Sequence, residues 1–315
     1  MDLGCETMAL VAREPARDGL FSRLDLSART RVVRMDDIDL PELFAHLDVD
    51  VVFNLAGYSR VREALDQPTN AFAANTAFVW TLLDAVRRMR VIARVVHAST
   101  DAVYGNTAEP ATEEHPLLAT GPYEVSKIAG EMVARCFHAL NGMPIVIARL
   151  SNVYGEGDAN VARLIPDLVA KLRTGETPIL NSGGRAVRTF VHVEDAIDAL
   201  FALADRAEEP GIAGETFNIS GTEPLTTLEV ARLAIAQFGR EGLKPIVRNV
   251  EMRETSLKLS SGAKIAERIG WRPTISLADG LARLAQIDRD AAAKCPIAEA
   301  EPNSLTILRS ERYDS

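Results

Sequence analysis

The stretch "ARVVHASTDAVYG" (Ala93–Gly105) decides how this chain is read. It opens as a short apolar, β-branched run and closes in small polar residues and a glycine. Such a run, bounded by turn residues, is a buried strand that delivers a polar loop at its carboxyl end. The same pattern recurs on both sides. "TMALVA" (Thr7–Ala12), "TRVVRM" (Thr30–Met35) and "DVDVVFNLAG" (Asp48–Gly57) precede it, and "MPIVIARLS" (Met143–Ser151) follows. Helical patterns lie between them: "LPELFAHL" (Leu40–Leu47), the long run from Asn70 to Met89, and a helix starting near Tyr123. Strands alternating with helices predict an α/β fold, a doubly wound and largely parallel sheet. Ligands of such sheets sit at the carboxyl ends of the strands. Those ends read "AREP", "MDDI", "NLAGYSR", "STDAVYG" and "SNVYG".

The second half changes character. "NVARLIPDLVAKLRTGETPIL" (Asn160–Leu180) reads as helix then strand. "TTLEVARLAIAQFG" (Thr226–Gly239) is a helix behind a threonine cap. These segments predict a smaller mixed α/β lobe. The expected division is 1–155 and 187–221 for the first domain, 156–186 and 222–290 for the lobe, and 291–315 for a loose C-terminal tail.

Composition narrows the function. The 315 residues are 47% hydrophobic and carry 35 basic against 44 acidic side chains, a net charge of −9. That balance argues against nucleic acid or an anionic membrane as partner. The three cysteines, Cys5, Cys136 and Cys295, have no disulfide or zinc spacing, which fits a reducing, cytoplasmic location. No apolar run is long enough to span a bilayer, and no secretory signal is visible. His97, within its apolar strand, and His192 read as structural histidines, His46, His115 and His138 show no metal-ligand spacing, and no metal is expected.

"TGPYEVSKIAGEMVARC" (Thr120–Cys136) carries the chemistry. Tyr123 and Lys127 lie one turn apart on a predicted helix, so the ammonium can approach the phenol. A positive charge there lowers the tyrosine pKa and lets it move a proton near neutral pH. The pair alone is also what any amphipathic helix with one lysine looks like.

Taken in order, "NLAG", "ASTDAVYG", "YEVSK", "RLSNVYG", "RTFVHVEDA" and "IGWRPTISLADGL" resemble the extended short-chain dehydrogenase/reductase family. The likeness is to its NAD-dependent nucleotide-sugar epimerases and dehydratases, and it covers roughly Cys5 to Arg289. The resemblance implies a Rossmann-like sheet with a substrate lobe, NAD or NADP as cofactor, a nucleotide-sugar substrate and a homodimer. It implies that Tyr123 moves the proton of a sugar hydroxyl as hydride leaves the carbon. Lys127 would tune Tyr123 and hold the nicotinamide ribose, and Thr100 would hydrogen-bond the reacting oxygen. Asp101 completes the catalytic set. The cofactor would also meet Asp37 and Ile38, Leu55, Ala56 and Gly57, and Asn75. Ser59, Asn152, Arg188 and Arg253 would hold the substrate. Arg13 could meet a 2′-phosphate and favour NADP, but Glu14 beside it leaves the choice open. The dimer would pair the Asn70 and Tyr123 helices, and Met132, Val133 and Phe137 could serve that contact or belong to the core.

Two departures stand out. The family opens with a strand, a G-x-x-G-x-x-G loop and a helix, whose N–H groups meet the cofactor pyrophosphate. That loop is absent here, a gap of about 25–30 residues, the size of one βα unit. The missing strand belongs at the centre of the sheet, where its loss exposes two inner edges. The expectation is a start internal to the gene; the alternative is a sheet that closes differently and binds cofactor poorly. Second, 4,6-dehydratases acting on deoxythymidine-diphosphate-glucose carry Thr-Asp-Glu where this chain has Thr100-Asp101-Ala102. The acid is kept and the base is gone. The expected function is transient oxidation at sugar C4, leading to epimerisation or 4,6-dehydration. The alternatives are a 4-ketosugar reductase and a non-catalytic sugar-nucleotide-binding relic.

Overall fold

The computed structural model describes residues 6–12, 20–23, 25–249, 257–291 and 304–309. Six strands of the large sheet run parallel: β1 (Glu6–Val11), β2 (Thr30–Arg34), β3 (Val51–Asn54), β4 (Arg94–Thr100), β5 (Ile145–Leu150) and β9 (Thr216–Ile219). Alternation along them sends successive side chains to opposite faces. Val52 and Val95 pack with Phe44, Leu82, Leu83 and Phe137 from helices Leu40–Ala45, Phe78–Val86 and Pro122–Asn141. Val51 and Val96 pack on the other face with Ala199, Leu200 and Leu203 of helix Val193–Asp205. Both faces of the strands are therefore buried, which is why they read as continuous apolar runs.

The centre of this sheet departs from expectation. The strand order is β2-β1-β13-β3-β4-β5-β9, where β13 is Ser304–Arg309. Here β13 runs antiparallel to both neighbours, pairing with β1 from Glu6↔Arg309 to Val11↔Ser304 and with β3 from Thr306↔Phe53 to Leu308↔Val51. The sequence reading made 291–315 a loose tail. For Ser304–Arg309 that is corrected: the segment fills the central slot and pairs the two inner edges that would otherwise lie open.

A second sheet has the order β10-β8-β12, with β6 also on β8. Its strands are β6 (Asn152–Tyr154), β8 (Val187–His192), β10 (Pro224–Thr226) and β12 (Leu257–Lys258). Thus β8, expected in the first domain, pairs with the small sheet, while the helix that follows it covers the large one. A two-stranded ribbon joins β7 (Ile179–Leu180) to β11 (Ile246–Val247). Helices Leu164–Thr174, Thr227–Gln237 and Leu277–Ala291 bury Leu168, Leu172, Val230, Ala234 and Leu281 in a third cluster with Tyr154 and Phe190. Thr226 and Glu229 form a reciprocal capping box at the second of these. Among the described residues no helix is long and apolar enough to cross a membrane.

Candidate active site

The site forms where β4 ends. Thr100 is its last residue, and the chain then tightens into the turn Asp101–Tyr104. The Ala102 N–H donates to Thr100 Oγ1 at 3.2 Å, which fixes the threonine side chain at the strand end. The neighbouring helix, Pro122–Asn141, has proline in its first turn and left-handed Gly142 after its last, so its ends are set by local sequence. Its first turn brings the Tyr123 hydroxyl close to Thr100, near enough for the threonine to favour its charged form. Tyr123, Thr100, Asp101 and Lys127 are all buried.

The electrostatics differ from the expectation. Tyr123 is pushed up to about 12, first by burial and then by the negative charge of Asp101. Lys127 is not among the main charges acting on it, and its Nζ donates to the carbonyl oxygen of Ala98 at 2.9 Å. Burial pulls Lys127 down to about 8, against the opposing pull of Glu131. The predicted lowering of Tyr123 by Lys127 is therefore corrected for this state.

Side chains crowd the glycine beside Lys127: a carbon added at Gly57 would lie 2.8 Å from Asn75 Oδ1 and 3.0 Å from Lys127 Nζ, so a larger residue there would have to displace both side-chain ends. Asn75 sits in a π-helical stretch, Ala73–Ala77, which interrupts the helical run ahead of Phe78. Such bulges re-aim side chains at functional sites. Asn75 Oδ1 accepts from the Tyr58 N–H at 2.8 Å, and its Nδ2 donates to Tyr58 O at 3.1 Å and to Ser126 Oγ at 2.9 Å. This one side chain ties the loop after β3 to the Tyr123 helix. His97, on β4, accepts from Asn54 Nδ2 at 3.0 Å; burial and the Lys127 charge lower it to about 3, so it stays neutral.

The other expected residues sort by place. Ala56 is buried and Gly57 half-buried in the loop after β3, while Leu55 and Ser59 are exposed. Asp37 and Ile38 lie at the end of β2. Asp37 is exposed and 3.7 Å from the Arg34 guanidinium, and Ile38 packs against the core. Asn152 Nδ2 donates to Thr189 O at 3.0 Å. Arg188 donates to Val187 O and lies close enough to Asp101 to favour its charged form. Arg13 and Arg253 lie outside the described residues. Of the three helix residues offered for a dimer, Phe137 and Val133 pack into the core, and Met132 is exposed.

One residue of the site escaped the sequence reading. Lys258 Nζ lies 2.9 Å from Asp101 Oδ1. It comes from β12, which is held by Thr107 N–H to Leu257 O at 3.3 Å and by the Leu257 N–H to Asn106 Oδ1 at 2.9 Å. Lys258 pairs in register with Arg188 of β8, so two cations approach one buried carboxylate. Burial still leaves the Asp101 carboxyl raised, with Lys258 the strongest opposing pull. No motif spacing links positions so far apart in the chain.

These residues fit the nicotinamide-ribose end of a dinucleotide: a phenol, an ammonium and a close-packed glycine at the carboxyl edge of a parallel sheet. The pyrophosphate end is different. Among the described residues no glycine-rich turn runs from a strand into a helix at that edge, and β13 holds the place where such a unit would stand.

The comparisons agree with this geometry. The dTDP-glucose 4,6-dehydratase of Streptomyces griseus is 32% identical over 256 residues, 81% of this chain and 76% of that protein. A UDP-glucose 4-epimerase of Mycolicibacterium smegmatis is 28% identical over 81% of this chain and 80% of its own. Among solved structures, a dTDP-glucose 4,6-dehydratase of Streptomyces venezuelae with NAD bound matches at TM-score 0.75 and 30% identity, over 86% of this chain and 83% of that one. A family model matches residues 5–220. Sheet, site and relatives together place the chain in the NAD dependent epimerase/dehydratase family.

Proposed function

We propose that this protein is an NAD- or NADP-dependent nucleotide-sugar epimerase/dehydratase, working through transient oxidation at C4 of the sugar. The observation that carries the reading is the buried Thr100–Tyr123 pair at the end of β4, with Lys127 one helical turn behind. The bound dinucleotide supplies a hydride acceptor and donor. Tyr123 holds a proton at its phenol oxygen and exchanges it with the C4 oxygen, and Thr100 orients that oxygen. Taking the proton is easier once Lys127 leaves Ala98 O and turns toward the phenol. Lys127, Gly57 and Asn75 would hold the nicotinamide ribose, and Ser59, Asn152 and Arg188 the substrate. Arginine suits a diphosphate because its planar fork offers paired donors.

Between the two outcomes, Asp101 favours dehydration, since epimerisation has no use for an acid beside C6. The nucleotide-sugar specificity, a cytoplasmic location and a homodimer are part of the same proposal. So is the division into a cofactor domain and a substrate lobe. The purified chain, supplied with NAD or NADP and with thymidine-, cytidine- or uridine-diphosphate glucose, should form a 4-keto-6-deoxy sugar nucleotide or the 4-epimer. Net consumption of reduced cofactor with a 4-ketosugar would favour a reductase instead. A binding-only relic is the reading favoured by the described residues lacking a pyrophosphate cradle; it predicts sugar-nucleotide binding with no turnover at any cofactor concentration.

A further inference from the structure

We propose that Lys258 is the base that removes the C5 proton during dehydration, working beside Asp101 as the acid. The inference rests on the dehydratase reading above. Elimination of water across C5 and C6 needs one group to take a proton from C5 and another to protonate the oxygen leaving C6. C5–H and the C6 oxygen sit on adjacent carbons, so a syn elimination needs acid and base side by side. Asp101 and Lys258 stand that way, with Nζ 2.9 Å from Oδ1. The side chain after Asp101 is a methyl, Ala102, which accepts no proton. Glu124, whose charge also reaches Tyr123, turns back over Gly121 at the start of its own helix. His192 is buried on β8 beside Glu156.

The bond changes balance within the pair. Moving one proton from Nζ to Oδ1 turns the ion pair into a neutral amine and a neutral acid. The amine takes the C5 proton, and the C5–H electron pair becomes the C5=C6 double bond. The C6–O bond breaks, and its oxygen leaves as water with the proton of Asp101. Lys258 ends as ammonium and Asp101 as carboxylate, the ion pair seen here. Hydride delivered to C6 by a bound nicotinamide would need a proton at C5, which the Lys258 ammonium returns; Asp101 regains its own proton from solvent, and the neutral amine and acid are restored. Arg188, in register with Lys258, supplies positive charge that stays fixed throughout.

The C5 step can be read without cofactor. A 4-keto-6-deoxy nucleotide sugar has the same acidic C5–H and nothing to eliminate. Incubated in deuterium oxide with the wild-type chain, it should exchange that proton, followed by NMR. Lys258→Met should slow exchange at least about 100-fold, the usual scale for a lost general base. Lys258→Arg should fail equally, because a guanidinium keeps the charge but does not give up its proton. Methylamine should restore exchange to Lys258→Ala. Binding of the same compound by calorimetry, and heat unfolding, should be near wild type in each variant. Exchange retained by Lys258→Met or Lys258→Arg would overturn the proposal, as would a wild type that exchanges nothing. The C4 oxidation assay is separate: turnover of nucleotide-diphosphate glucose by a chain whose Lys258 variants exchange normally would leave the functional reading standing without this base.

Discussion

Lys127 Nζ donates to the carbonyl oxygen of Ala98 at 2.9 Å, so the ammonium is anchored to β4 and not to the phenol of Tyr123. Burial lowers Lys127 to about 8, from an ordinary 10.5. The unfolded chain therefore holds this proton more tightly than the folded one between those values. Stability rises with pH across that window, because folding no longer has to bury a charge. The stability of wild type relative to Lys127→Met should increase between about pH 8 and 10.5, by up to about 3 kcal/mol. Tyr123 titrates in both proteins and drops out of the difference. Urea melts across the window check it; a flat difference would show that Lys127 is solvated.

Tyr123 is held neutral, pushed up to about 12 by burial and by Asp101. Tyr123→Phe keeps the ring and removes the proton carrier. Turnover should fall by about 10²–10⁴-fold, with sugar-nucleotide affinity and melting temperature little changed. Near-normal turnover in this variant would falsify the assignment of Tyr123.

Arg149 and Glu131 form a fully buried ion pair at 2.6 Å between β5 and the Tyr123 helix. Arg149 also donates to Tyr104 at 2.8 Å, and Ser99 donates to Glu131 at 2.5 Å. Removing one partner leaves a charge with no solvent. Arg149→Met should cost about 3–5 kcal/mol, while the double variant with Glu131→Leu should recover much of it. Denaturant unfolding of the three proteins measures both effects.

The central place of β13 makes a fourth prediction. A chain ending at Asn303 leaves β1 and β3 with open inner edges. Each lost backbone hydrogen bond costs about 1 kcal/mol, so the melting temperature should fall by about 10 °C or more. Size-exclusion chromatography should show association through the open edges. A monomer of unchanged stability would mean that β13 contributes nothing to the sheet.

What the sequence disclosed was local. "ASTDAVYG" and "YEVSK" state a strand end and a helix start in a few adjacent residues, and buried parallel strands announce themselves as apolar runs. Asn75 was placed correctly on its helix, but the π-helical stretch that aims it has no sequence sign. What stayed hidden depends on pairing across long stretches of chain. "SLTILR" is a strand only because β1 and β3 accept it, and nothing within six residues names its partners. Lys258 is an ordinary surface lysine until β12 lies beside β8. The pKa of Tyr123 was misread for a related reason: helical spacing puts Lys127 on the right face, but its Nζ donates to the Ala98 carbonyl oxygen instead.

The position of β13 also bears on how the protein is made. Ser304–Arg309 follows every other described element in the chain, so the ribosome releases it after them. Domains ordinarily fold from the N-terminus as they emerge. Here the two halves of the large sheet can form early but cannot join until the last strand slides between them. Folding of this sheet is therefore completed only after synthesis of its central strand, and it closes from the middle.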